Sequence, residues 1–158
     1  MIDTTLQWIE DSSWAVAIRQ SVWMYPVLEI FHIAGIVLLV GPAIMFDLRL
    51  LGFAKKLPVA TLAHYLLSWS RRGLLLVIPS GIFLFITNAA SLGYDPVFWL
   101  KMVLLIVAGL NALLFHRFAF HLASSPETRA FTIRSKLAGI ISIIVWFAVI
   151  ACGRLLAY

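Results

Sequence analysis

Four stretches of the chain stay apolar for long enough to cross a lipid bilayer. They run from about Val22 to Phe46, from residue 70 to 90, from residue 96 to 118 and from Leu137 to Leu156. A helix crossing the hydrocarbon needs about 20 mostly apolar residues. None of the four shows the apolar–polar alternation of a barrel strand, and backbone facing lipid must satisfy its own amides. All four are therefore predicted to be helices. Asp95-Pro96 opens the third, since Asp caps a helix start and Pro fits its first turn. Two shorter segments accompany them. Residues 5–19 mix Trp and aliphatics with charges, the pattern of an interfacial helix. Residues 58–70 form either a plain loop or a lead-in helix continuous with the second span. The fold predicted is an all-α integral membrane four-helix bundle, one domain over residues 1–158, with an interfacial N-terminal helix.

Composition agrees with a chain whose solvent is partly lipid. Apolar residues make up 63% and charged residues 12%, against about 45–50% and about 25% in a soluble domain. One cysteine, Cys152, excludes an intrachain disulfide and a thiolate metal cluster. The net charge of +5 comes from basic residues beside apolar stretches. That points to anionic lipid headgroups and not to nucleic acid. The acidic start MIDTTLQWIED lacks the basic n-region of a cleaved signal, so the first span is expected to stay in the mature protein.

Charge also predicts orientation. Arg49, Lys55, Lys56, Arg71 and Arg72 lie between spans one and two, and Arg117, Arg129, Arg134 and Lys136 between spans three and four. The other side carries Arg19, Lys101 and Arg154. Nine against three places both basic loops in the cytoplasm and both termini outside.

Ionisable groups at membrane depth are costly and each needs a reason. Glu29 and His32 sit three apart on one helix face. His32 is about ten residues into its span, roughly 15 Å at ~1.5 Å per residue, too deep to snorkel. It is expected to face the bundle interior as a ligand, with Gly35 leaving room for a flat group. An imidazole satisfied by protein hydrogen bonds alone would remove that case. Lys101 is five residues into the third span, about 7–8 Å further out than His32 if the spans begin level. It is an ion-pair partner of Glu29, an interfacial anchor, an axial ligand or a contact for a cofactor carboxylate. His116 ends the third span, with His121 in the following loop and His64 in the lead-in to span two. His64 with His116 could form a bis-imidazole site near the inner face, or both could be interfacial. His32 and His116 differ by roughly 15 Å in depth and are not expected to share one iron. Met24, Met45 and Met102 are soft copper ligands but scattered in depth. Arg154 near the outer end of span four is placed for a propionate, a lipid phosphate, a quinone headgroup or simple snorkelling. There is no Walker loop, dinucleotide fingerprint, GxSxG elbow or His-Glu-x-x-His helix.

The segments EIFHIAGIVLLVG, RRGLLLVIPSGIFLF and FWLKMVLLIVAGLNALLFH resemble helices of HemJ-type protoporphyrinogen oxidases and of CopD membrane domains. A closer resemblance is to an uncharacterised bacterial family of short four-helix membrane proteins. It is carried by Tyr25 to His32, Asp47 to Gly52, Lys101, Phe115-His116 and Gly153-Arg154. The HemJ resemblance implies haem b, with His32 and Lys101 at the positions of the proposed haem-site residues. The chain departs from it by ending after four spans and by carrying a His at 116, where the HemJ helix has one a turn earlier.

The function expected is a haem b-binding membrane cytochrome of the bacterial inner membrane, transferring single electrons. The cofactor-binding candidates are His32, Lys101, His116, His64, Glu29 and Arg154, with His32 and His116 as metal ligands. One or two haems are expected, with a quinone, a periplasmic donor or a larger membrane complex as possible partners. The rivals are a HemJ-like porphyrinogen oxidase and a non-redox anchor or copper-handling subunit.

Overall fold

The computed structural model describes residues 2–54, 56–115 and 133–156. Seven helices are seen among them: α1 (Ile2–Glu10), α2 (Ser13–Gln20), α3 (Met24–Leu50), α4 (Val59–Thr87), α5 (Ala89–Tyr94), α6 (Pro96–Leu114) and α7 (Ile133–Leu155). Four of these, α3, α4, α6 and α7, are long and apolar enough to span a membrane. The protein is an all-α four-helix membrane bundle.

Local chemistry sets the helix ends. The N-terminal segment is two helices where one was expected. It breaks at Asp11-Ser12, and Ser12 caps α2 by accepting from the Ala15 N–H at 3.4 Å. α3 ends in a paired-carbonyl motif around Gly52, whose φ is 104°: Gly52 N–H bonds Arg49 O and Phe53 N–H bonds Leu48 O. Residues 59–70 are helical and continuous with the second span. That span ends at Thr87, earlier than the sequence suggested, and Ala89–Tyr94 forms α5. Asp95 caps α6 through the Val97 N–H at 2.7 Å, with Pro96 in the first turn.

α1, α2 and α5 lie at one end of the bundle, called here the amino end; the turn at 51–54 marks the loop end. A latch fastens the amino end. Arg19 donates to Thr87 O at 3.0 Å and to Glu10 O at 2.6 Å, while Glu10 Oε2 accepts from the Ala90 N–H at 2.8 Å.

The most extensive packing is α3 against α4. A Cβ on Gly73 would stand 2.6 Å from Leu39 N, and one on Gly35 would stand 2.9 Å from Val77 N. The two backbones therefore touch at small residues, the usual device of membrane helix pairs. The buried Ser70 hydroxyl bonds Leu39 O at 2.8 Å across this seam. α6 and α7 form the second pair, through Ala108, Val145 and Val149. α7 joins the pairs by crossing α3 where a Cβ on Gly139 would stand 3.2 Å from Asp47 O. α4 and α6 meet at the amino end in the Phe85–Phe98 stack, with ring centroids 5.2 Å apart.

Candidate functional site

His32 lies on α3 and is half-buried against α4. Its Nδ1 is 3.0 Å from Ser80 Oγ. The Ser80 hydroxyl itself donates to the Leu76 carbonyl one turn back on α4. With that proton committed, Ser80 Oγ is the acceptor and His32 Nδ1 carries the hydrogen. Nε2 then holds the lone pair, and it makes no hydrogen bond to any described residue. The protein thus satisfies one imidazole nitrogen and leaves the other available.

Two features of α4 make this possible. Gly81 faces the ring: a Cβ there would stand 3.1 Å from His32 Cε1. Pro79 has no N–H, so the helix ladder is interrupted beside Ser80, and Ser80 bonds back along its own helix. Gly35 plays a different part from the one expected. Its open side is filled by Leu76 and Val77 of α4, so it closes the seam and leaves no room for a flat group.

Lys101 is half-buried on α6, its Nζ 3.7 Å from where a Cβ of Gly153 would stand and near the buried Cys152. The assumption of level starts placed it further out than His32, and the register of the helices corrects this. Gly139 abuts Asp47, and Gly153 is fourteen residues further along α7. Fourteen residues back along α3 from Asp47 is Ile33. Lys101 and His32 therefore share one depth.

The remaining candidates separate. Glu29 is exposed, and no ion pair joins it to Lys101 among the described residues. Arg154 is exposed in the last turn of α7. His64 is exposed on α4, at the loop end and far along the helix from Ser80. His116 and His121 lie outside the described residues. Among the described residues no three metal-binding side chains gather.

Sequence reasoning missed Ser80 and Asp47. Serine in an apolar helix gives no signal unless its seam partner is known. Asp47 was treated as part of a motif beyond the first span, yet α3 continues to Leu50. Asp47 is 6% exposed and lies beside Ser142 of α7, with Oδ2 unpartnered. Searches of curated proteins and of solved structures return no match, and nothing links the chain to HemJ-type oxidases or CopD domains. A family model does match over residues 6–158, and by that match the chain belongs to DUF6644, a family of unknown function.

Proposed function

We propose that the protein is a haem b-binding membrane cytochrome in which His32 would hold the iron. The observation that carries this reading is the imidazole whose Nδ1 stands 3.0 Å from Ser80 Oγ while Nε2 has no hydrogen bond to a described residue. Metal-ligating histidines are held this way, with the second nitrogen donating to a fixed acceptor that sets tautomer and ring angle. The donor chemistry fits haem iron, for which a neutral imidazole is a common ligand.

A haem bound there supplies one-electron transfer. The chain's own part is to hold Nε2 in place, to exclude water with the aliphatic flanks of α3 and α4, and to present Lys101 at the same depth. Lys101 would serve as a second ligand or hold a propionate. His116, alone or with His64, is a candidate for a second haem at the loop end. A quinone within the membrane would be a suitable electron partner.

The test is a reduced-minus-oxidised visible spectrum of the purified protein with pyridine haemochrome quantitation, beside His32→Ala. Haem b in the native protein and its loss in the variant are expected. A native sample without a Soret band, after expression with ample haem supply, would end the reading. Unchanged spectra in His32→Ala would move the site elsewhere.

A further inference from the structure

Arg71 and Arg72 stand at a depth where the exposed side chains of the neighbouring helices are apolar. They are flanked by Ser70, which bonds Leu39 O, and by Gly73, whose Cβ would meet Leu39 N. Both arginines are therefore level with about Leu39. That residue is eleven positions, about 17 Å, from the loop end of α3 at Leu50. Over those turns the neighbouring helices keep apolar side chains exposed: Met45 and Leu48 on α3, Ile141 and Ile144 on α7.

Only α4 changes character there. Towards the amino end its exposed face is Leu74, Leu75, Ile78 and Ile82; towards the loop end it is Trp69, Tyr65 and His64. Both arginines are exposed and lean to the loop end. Arg71 Nη2 is 3.3 Å from Ser68 Oγ, and the Arg72 guanidinium lies 4.7 Å from the Trp69 ring centroid. Neither is paired with a carboxylate among the described residues.

A guanidinium amid hydrocarbon is relieved by snorkelling, by local bilayer thinning and by drawing in water and headgroups. Trp and Tyr concentrate at the membrane–water boundary. On α4 Tyr65, Trp69 and Arg72 follow one another along one exposed stripe, with Arg71 exposed about 100° round the helix, which is the composition of a boundary displaced towards mid-bundle.

We propose that Arg71 and Arg72 bind the phosphates of anionic lipids, drawing the headgroup boundary of the loop-end leaflet to mid-bundle depth on the α4 face while it stays near Leu50 on α3 and α7. The fork of a guanidinium matches phosphate oxygens, and each arginine offers one such fork to the loop-end leaflet. The site is independent of His32 and of any haem.

The test uses the full chain in nanodiscs of phosphatidylcholine containing phosphatidylglycerol. Spin labels are placed by Tyr65→Cys on α4 and by Met45→Cys and Leu48→Cys on α3, each in a Cys152→Ala background. The Tyr65→Cys label is expected to collide with a water-soluble nickel reagent, and the two α3 labels with oxygen. In the native chain, phosphatidylglycerol retained on detergent extraction should fall about five-fold for each arginine replaced by Gln. Inorganic phosphate should not displace it. Three results overturn the proposal. A Tyr65→Cys label as oxygen-accessible as the α3 labels means the boundary is not displaced. A label shielded from both reagents means a protein partner covers α4. Lipid retention by Arg71→Gln and Arg72→Gln equal to that of the native chain, or displacement by inorganic phosphate, removes the lipid site. The labels report on the unaltered arginines, so the test stands even if the arginine variants do not fold.

Discussion

The two helix pairs of the bundle are built to different tolerances. Along α3–α4 the backbones touch at Gly35 and Gly73, a buried serine bonds across, and His32 is pinned to Ser80. Along α6–α7 the contact is aliphatic, with the Asn111 amide bonding Ala138 O at 3.0 Å. Ala108 is the one buried residue in the described length of α6. The tight pair carries the imidazole and the loose pair carries Lys101. Backbone-to-backbone approach leaves few alternative positions for a side chain that bonds across it. Side-chain packing leaves more. The geometry of the site is thus set by α3–α4, and α6 can adjust to what is bound.

The sharpest way to break this contrast is at Gly73. A Leu there meets Leu39 N and Gly35 O, both backbone atoms under 3.0 Å away, and neither can rotate aside. Overpacking a core costs typically about 1–3 kcal/mol when side chains can yield. Gly73→Leu should reach the upper end of that range or prevent assembly. Loss of cooperative unfolding by circular dichroism in detergent would show it. A Gly73→Leu protein as stable as the native one would mean the seam is not as close as described.

Ser80→Ala comes next and acts on the site without touching the seam. Removing the acceptor frees the imidazole to change tautomer and tilt. On the cytochrome reading, haem affinity should fall about 10- to 100-fold, as for other residues that orient a metal ligand. Haem titration with the Soret band measures it, and thermal unfolding should move far less than for Gly73→Leu. An unchanged affinity would leave the Ser80 bond as a matter of packing only.

This order of effects also shows what the sequence could reveal. The four spans were legible because lipid imposes a length and a composition on any helix within it. The Asp95-Pro96 start was legible because capping is local. His32 was legible because depth alone makes an imidazole conspicuous. Ser80, Gly81 and the level of Lys101 were not, since each depends on the register between helices, which no single-helix pattern encodes. The same ignorance of register misassigned the space beside Gly35 and set Lys101 too far out. Asp47 was hidden by a boundary error: a helix that continues past an acidic residue looks, in sequence, like one that has ended.

On the looser pair the expected effects are small. Asn111→Leu removes the amide bond to Ala138 O. Side-chain hydrogen bonds between membrane helices are worth on average about 0.6 kcal/mol. The variant should lose about that much, and a Leu side chain suits the apolar surroundings. A loss comparable to that of Gly73→Leu would show that α6–α7 depends on one bond far more than its aliphatic contact suggests.

The smallest effect is expected at Gly109 on α6, where a Cβ would meet nothing within 4 Å. Glycine is a poor helix former by about 1 kcal/mol relative to alanine in water, and the exposed face of α6 already carries Val103, Ile106, Leu110 and Leu113. Gly109→Leu should therefore leave unfolding within about 0.5 kcal/mol of the native chain, or raise stability slightly. The comparison with Gly73 is then between identical substitutions on two spans that differ only in what stands opposite. If Gly109→Leu proves as harmful as Gly73→Leu in a membrane while remaining harmless in detergent, the face of α6 is occupied by another protein surface in the bilayer. The loose pair would then be one side of an interface, and the freedom assigned to Lys101 would belong only to the isolated chain.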